Sequence, residues 1–538
     1  MSSVLDSGRF LVSVEAAAAL DTEARTEWGF NVFALIEAAG RSCARLFTEA
    51  FPDFFNHRYL NRSRVAVAIG AGSNGADAMV MLRYWILAGL VDPSLSVLVA
   101  ARLPKNGENA PWVELLGSLK KMNVPVLVWN GDTAGAADDA LARSDIIVDG
   151  IAGTGLKGAL RGPALEMVNA INLHTHPFVV SVDLPSGNSD EWKPGMPIVE
   201  ADATLAIEPR KLCLYTPAAR PYGGTILPVK GIFPGEIISR HGEAEILDWE
   251  SVQKRIRKIP PSAYKNQRGT VEIWAGSTGT TGAALVAARG AQAAGAGLVR
   301  LVADEEIYPI VASQAAGIIT APAGSGRLTG RASLPDAILL GPGWGKTHDR
   351  GQILKDALSL EQEGVPLVLD ADAIELVKDK VFNGNVILTP HPGEFCKFSG
   401  IDKEELLFRP IPILLQYARE RRGVILFKGH VITIAAPDGR IGIVDGMTPG
   451  LATGGSGDLL AGLCAAIAAR MAREGPEFDA YTCAAAAAAL LIAAGRTEEL
   501  KRRFTDPMEL AGKAADLAGT AWLSPDTHDG IKGYFYGR

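Results

Sequence analysis

The stretch Thr448–Gly462, TPGLATGGSGDLLAG, combines residue types and spacing suited to phosphate chemistry. Gly450, Gly454, Gly455 and Gly457 fall within eight residues and let backbone N–H groups converge on an anion. The loop runs into LLAGLCAAIAARMA, a helix-like segment whose free N–H groups and dipole favour negative charge at its start. Asp458 then stands beside the bound phosphate, where a base that activates a hydroxyl for phosphoryl transfer belongs. A flexible loop with a helix-capping Asp is the plainer alternative. It accounts less well for this density of glycine beside one acid and an apolar helix.

Further candidates gather at the ends of apolar runs. In the first half these are Gly70-Ala71-Gly72-Ser73-Asn74-Gly75-Ala76-Asp77, Asp149 with the loop GTGLKGA (153–159), and Asp183 with Ser186. Each Asp alone reads as a cap or turn residue, but three clusters on successive strand ends point to a site. Oxygens of Asn74, Asp149 and Ser186 can together hold a hard cation. Gly70, Gly72 and Gly75 fit G-x-G-x-x-G, yet the acid expected at the end of the next strand is replaced by Ala100-Ala101-Arg102, so a dinucleotide fingerprint is weakly supported. In the second half stand Gly276-Ser277, Gly341-Pro342-Gly343-Trp344-Gly345, Asp370, Asp372, Lys428 and the rigid loop Thr389-Pro390-His391-Pro392-Gly393-Glu394. Lys428 ends a run and precedes Gly429, a place from which an ammonium reaches a phosphate. His391 is a candidate substrate contact because prolines and a glycine stiffen the loop around it.

The elements that must position these groups are short β-branched runs alternating with helical stretches. They are 65–70, 95–100, 124–129, 145–150, 178–187 and 203–207, then 271–276, 298–303, 337–343, 366–372, 386–394 and 424–436. Continuous apolar strands of this kind predict parallel sheets covered on both faces, with ligands beyond the carboxyl ends of the strands. Gly231–Ala263 is rich in Pro and charge and includes a predicted helix, DWESVQKRIRKI. The boundary is placed near residue 240, giving domains 1–240 and 241–538, and no short-period repeat is present.

Composition excludes several other classes. The 538 residues, 48% hydrophobic and 21% charged, suit filled cores in two or more domains. A net charge of −7 without dense Lys/Arg runs argues against nucleic-acid binding. Cys43, Cys213, Cys396, Cys464 and Cys483 form no C-x-x-C pair, so neither a disulfide framework nor a zinc site is indicated. The amino terminus lacks a basic region followed by an apolar core. Ala480–Ala494 is the longest apolar run and reads as a buried helix rather than a membrane span. A cytoplasmic protein that binds no membrane is expected.

The second half resembles the ADP/ATP-dependent NAD(P)H-hydrate dehydratases, a branch of the ribokinase-like kinases. The resemblance rests on GSTGTTGAALVAARGAQAAGAGLV, LLGPGWG, LDADAIELV, LTPHPGEF, LFKG and GLATGGSGDLLAG, in the family's order and spanning nearly all of 246–537. The first half resembles the NAD(P)H-hydrate epimerases through LIEAAG, GAGSNGADAMV, VDGIAGTGLKG, VDLPSG and GGTILPVKGI. The fold so implied is a Rossmann-like three-layer α/β/α domain followed by a ribokinase-like α/β/α domain. The function implied is repair of hydrated NADH and NADPH, by epimerising R and S hydrates and dehydrating the S hydrate.

For the first domain the resemblance implies potassium on Asn74, Asp149 and Ser186. It places the hydrate against Ser73, Asn74, Gly75, Ala76, Asp77, Gly153, Thr154, Gly155, Leu156, Lys157, Gly158, Ala159 and Asp183, the last a catalytic contact. For the second it implies Asp458 as base, Gly343, His391 and Asp458 against the hydrate, and magnesium with ADP or ATP. The nucleotide is assigned to Lys428, Gly429, Thr448, Pro449, Gly450, Ala452, Thr453, Gly454, Gly455, Ser456 and Gly457. A homo-oligomer is expected.

Three departures stand out. Ser73-Asn74-Gly75-Ala76-Asp77-Ala78 replaces the epimerase pattern N-N-G-G-D-G. Ala76 and Ala78 are thus expected to put methyl groups where backbone meets ligand, and to weaken this domain. Tyr264-Lys265-Asn266 stands for His-Lys-Gly, and Trp344 for a smaller apolar residue. The competing readings are a ribokinase-like small-molecule kinase with a noncatalytic dinucleotide-binding first module, and a dinucleotide oxidoreductase. Against the oxidoreductase count the missing ribose acid and the absence of redox residues.

Overall fold

The computed structural model describes residues 8–55, 63–108, 110–325, 328, 334–346, 348–475, 478–497, 499–501 and 503–523. The chain folds into two compact units, Met1–Glu245 and Ile246–Arg538.

In the first unit seven parallel strands lie in the order Val126–Val128, Ser96–Ala100, Val65–Ile69, Ile146–Gly150, Phe178–Val182, Ala203–Ile207, Thr225–Val229. Alternate side chains of a strand face opposite ways, and the two faces bury separate cores. Val65, Val67, Ile69, Leu98, Ile146 and Val148 pack under the helices Val32–Ala50, Ser73–Leu87 and Pro111–Lys121. Ala66, Ala68, Val99 and Ile147 pack under Ala134–Ala142 and Gly162–Leu173. Strand order reverses between Val65–Ile69 and Ile146–Gly150, which opens a crevice at their carboxyl ends.

In the second unit the parallel order is Ile319–Pro322, Leu298–Ala303, Thr270–Trp274, Ala337–Leu340, Leu367–Leu369, Val386–Leu388, Val424–Phe427, extended by antiparallel Val431–Ala435 and Ile441–Asp445. The run 424–436 is therefore a hairpin turning at Lys428-Gly429-His430, not one strand. One face is covered by Thr281–Ala293, Ser456–Glu474, Ala480–Gly495 and Pro507–Trp522. On the other, Phe395 of the Pro392–Ser399 helix meets Phe427 edge-on with centroids 6.0 Å apart. Ala480–Gly495 is buried at every position except Ala493, as a core helix should be. Among the described residues no helix is long and apolar enough to cross a membrane.

The helix predicted over 248–259 is much shorter. It spans Trp249–Val252, tightens into a 3-10 turn at Gln253–Arg255, and then extends. Tertiary pairing overrides the local pattern: Ile256 is buried, and the Ile259 N–H donates to the Trp522 carbonyl at 2.6 Å.

Two glycines set the position of the Ser456–Glu474 helix, whose start carries Asp458. A Cβ on Gly462 would lie 2.0 Å from the Ala287 carbonyl oxygen, and one on Gly290 would lie 2.4 Å from that of Leu459. The two backbones thus approach more closely than any side chain permits. Gly462→Ala is expected to cost about 1–3 kcal/mol by overpacking, seen as an earlier thermal transition of the second unit.

Candidate active sites

In the second unit a partly buried cation organises the strand ends. Lys428 follows Val424–Phe427, and its Nζ donates to Asp370 Oδ1 at 2.7 Å and lies 3.8 Å from Glu394 Oε2. Asp370 is 1% exposed and also accepts from Thr389 Oγ1 at 2.7 Å. Burial works against the Lys428 charge, but Asp370 and Glu394 outweigh it and hold its pKa above the ordinary lysine value. Asp458 sits in the first turn of Ser456–Glu474 and makes no side-chain cap. Burial, then the charge of Asp370, pushes its carboxyl up to about 6, with Lys428 pulling the other way. Asp458 is thus a carboxylate with raised basicity at a helix start, which suits a base.

The loop before it supplies the cradle. Gly455 opens the helix with φ +91°, a conformation glycine adopts without strain. A Cβ on Gly457 would come within 3.3 Å of Lys428 Nζ, so its absence keeps backbone and ammonium side by side. Thr453 accepts from Ser456 Oγ at 3.0 Å through its carbonyl, Pro449–Leu451 form a short turn, and Ala452 is exposed. Thr448 Oγ1 accepts from Arg496 Nε at 3.1 Å, a tie the sequence did not signal. Gly429 lies in the hairpin turn beside Lys428.

His391 is half exposed and caps the Pro392–Ser399 helix. Its Nδ1 accepts from the N–H of Gly393 at 3.0 Å and of Glu394 at 3.3 Å, and Glu394 accepts from the His391 N–H at 2.8 Å. This capping box fixes the loop and directs Glu394 toward Lys428. Gly343 has φ +61° and offers its carbonyl to Thr280 Oγ1 at 2.6 Å and Ser277 Oγ at 3.0 Å. It lies at the other switch point, between Thr270–Trp274 and Ala337–Leu340. The unusual Trp344 is 1% exposed beneath Arg350, whose guanidinium lies 5.1 Å from the ring and clasps Asp304. Its bulk is absorbed into the unit rather than the site.

In the first unit a cleft of about 450 Å³ is lined by Gly72, Ser73, Asn74, Asp77, Ile151, Ala152, Gly153, Thr154, Gly155, Leu156 and Asp183. Asp149 is fully buried beneath it. Its carboxylate accepts from Ser181 Oγ and the Ser186 N–H, each at 2.8 Å, from the Ile151 N–H at 3.2 Å, and from Ser186 Oγ. Burial raises its pKa against those bonds. Asn74 donates to the Ala152 carbonyl at 3.2 Å, while its Oδ1 is buried without a partner. Asp183 adopts φ +64°, uncommon for a residue with a side chain and a mark of functional sites. Lys211 anchors it, donating to Asp183 Oδ1 at 2.6 Å and to the Ile207 carbonyl at 3.1 Å. Lys211 lies in the two-residue strand Arg210–Lys211, beside Leu11 and Val12, where sequence reading found no motif.

Not every expected residue reaches the cleft. Gly75 lies beneath it, with room for a Cβ removed by the Gly70 carbonyl oxygen at 2.5 Å. Lys157, Gly158 and Ala159 fall outside the lining, and Gly158 N–H donates to Glu191. Ala76 and Ala78 are corrected most clearly. Both lie inside the Ser73–Leu87 helix, 1% and 0% exposed, with their methyl groups in the core. They neither face the cleft nor adopt positive φ, so they do not crowd a ligand.

Residues 271–515 match the family described as NAD(P)H-hydrate dehydratase, and residues 32–213 the one described as YjeF-related protein N-terminus. The bifunctional NAD(P)H-hydrate repair enzyme of Moorella thermoacetica is 32% identical over 529 residues, covering 94% of this chain and 96% of the relative. The chain belongs to the bifunctional NAD(P)H-hydrate repair enzymes. As a member it joins an epimerase to a dehydratase. The Escherichia coli enzyme of the same name is 28% identical over 461 residues, 83% of this chain and 82% of its own. A solved ADP/ATP-dependent NAD(P)H-hydrate dehydratase from Bacillus subtilis is 26% identical, covers 51% of this chain and 99% of its own, and has a TM-score of 0.45.

Two outcomes follow from the geometry. With saturating nucleotide, dehydration should rise with pH through about 6 as Asp458 loses its proton. Lys428→Met should move that limb upward, because it removes the cation that favours the charged form; a limb at the ordinary carboxylate value contradicts the site as described. Ala76→Gly with Ala78→Gly should leave epimerisation unraised and cost about 1 kcal/mol of stability per site, measured by thermal denaturation. A faster double variant would restore the crowding argument.

Proposed function

We propose that Asp458 removes the proton of the ring hydroxyl of the S hydrate as that oxygen takes a phosphoryl group from ADP or ATP. The carrying observation is the position of this basic carboxylate between the glycine-rich helix start and Lys428. The N–H groups of Gly454–Gly457 stabilise the transferring phosphoryl group, a contribution of about 3 kcal/mol for each well-placed donor. Lys428, Gly429 and Thr448–Gly457 hold the nucleotide, while Gly343 and His391 orient the hydrate. Loss of the phosphate ester then restores the dihydropyridine. Asp370, Glu394 and Asp458 leave a negative surplus around one lysine, which magnesium arriving with the nucleotide phosphates would offset. Bound there, the ion supplies charge neutralisation for the phosphates.

In the first domain the cleft receives R and S hydrates, with Asp183 against the ring. The orphaned Asn74 Oδ1, the buried Asp149 carboxylate and the Ser186 hydroxyl form an all-oxygen donor set that fits potassium. The ion contributes a fixed positive charge that orders the loops around the ring. Homo-oligomeric assembly and a cytoplasmic setting belong to the same reading.

Asp458→Asn should lower dehydration about 100- to 10,000-fold with nucleotide binding within a few-fold of the parent, since the amide keeps the shape but takes no proton. Turnover near that of the parent removes Asp458 as base. A stable phosphate ester, in place of restored reduced-cofactor absorbance, would mark a small-molecule kinase. For the first domain, progress curves on purified R hydrate with excess ADP should speed up with potassium in the parent and not in Asp149→Ala. Identical slow curves in all four cases would leave a binding module.

A further inference from the structure

We propose that Asp77 is the general acid of the epimerase site, and that Lys211, by taking Asp183 as its ion-pair partner, is the positioning residue that leaves the proton on Asp77. The inference rests on the epimerase reading above. Asp77 and Asp183 both line the cleft, and both are 7% exposed. Lys211, 4% exposed, gives its Nζ to Asp183 at 2.6 Å and to the Ile207 carbonyl. Asp77 Oδ1 is buried with no hydrogen-bond partner. Two buried carboxyls thus share one ammonium, and the geometry commits that ammonium to Asp183.

A buried carboxyl without a cation of its own stays neutral, the more so beside a charged neighbour. The titratable and charged groups facing Asp77 are Asp183 from the end of Phe178–Val182, Lys211, Cys43 from the Val32–Ala50 helix and, more weakly, Asp21 from Val14–Thr26. Of these only Lys211 is a cation. Burial and the charge of Asp183 hold the Asp77 carboxyl well above the usual carboxylate range, in keeping with that reading.

The chemistry needs such an acid. Water adds to an enamine with its hydroxyl on the carbon bonded to nitrogen, and that carbon is the centre that differs between R and S hydrates. As its C–O bond breaks, the electron pair leaves on oxygen, which takes the proton from Asp77 and departs as water, while the nitrogen lone pair forms a C=N bond. Asp183, held as a carboxylate, faces the cationic ring. Water adds to the opposite face, the C=N electrons return to nitrogen, and the spare proton of that water returns to Asp77 by way of solvent. Nothing is consumed.

The test uses the full chain and purified R hydrate without nucleotide, following S hydrate by chromatography across pH. The parent should lose epimerisation on the alkaline side of the profile, as Asp77 gives up its proton. Asp77→Asn should lose at least about 100-fold in rate at every pH, with dehydration of S hydrate by the other domain unchanged. Lys211→Met should move that limb to higher pH, because removing the cation raises the proton affinity of Asp77, and Lys211→Arg should return it. Epimerisation by folded Asp77→Asn within about five-fold of the parent, or a Lys211→Met profile lowered with its alkaline limb in place, would overturn the assignment. Should Asp77→Asn fail to fold, the Lys211 profiles decide alone. A parent inert on R hydrate overturns the epimerase reading itself and takes this assignment with it.

Discussion

A single lysine set among more carboxyls than it can pair is the constraint on which each site depends. Lys428 binds Asp370 at 2.7 Å, and Lys211 binds Asp183 at 2.6 Å. In both units the lysine is committed to the carboxylate at a strand end, and a second Asp on a neighbouring helix is left without a cation of its own. Those second carboxyls, Asp458 and Asp77, are the ones held above the ordinary range. Burying charge is costly unless it is paired, and incomplete pairing is what holds these two carboxyls above the ordinary range.

The rest of the fold keeps that arrangement buried and in register. Burial and the charges of Asp370 and Glu394 raise the Asp458 carboxyl to about 6, against the pull of Lys428. The contact of Gly462 with the Ala287 carbonyl fixes where that helix begins. In the first unit the Ser73–Leu87 helix is locked by Ala76 and Ala78 in the core, which turns Asn74 and Asp77 toward the cleft. The alanines that looked like damage to a binding loop are packing residues of the helix that carries two of the site's side chains.

Much of this was legible because it is local. The parallel strands announce themselves as continuous apolar runs, and the glycine loop with Asp458 carries its chemistry within one stretch. What escaped is non-local or irregular. Lys211 sits 28 residues from Asp183, in a strand of two residues with no pattern of its own. Thr225–Val229, Ile319–Pro322 and Ile441–Asp445 also escaped; the first two each carry a proline, which is confined to edge strands, and both lie at sheet edges. The helix expected through Ile259 stops early because Ile259 pairs with the chain at Trp522, a partner far beyond any sequence window. His391 was picked out for its rigid loop, which the structure explains as a capping box that aims Glu394.

The most direct test of the shared-lysine arrangement is a carbon-13 NMR titration of the full chain labelled at aspartate carboxyls. The account predicts one resonance with a midpoint near 6 that disappears in Asp458→Asn. It predicts another, absent from Asp77→Asn, that stays in its protonated position well above the usual carboxylate range. If every carboxyl resonance of the parent titrates within the ordinary aspartate range, the two lysines do not divide their carboxyls in this way, and the account is wrong.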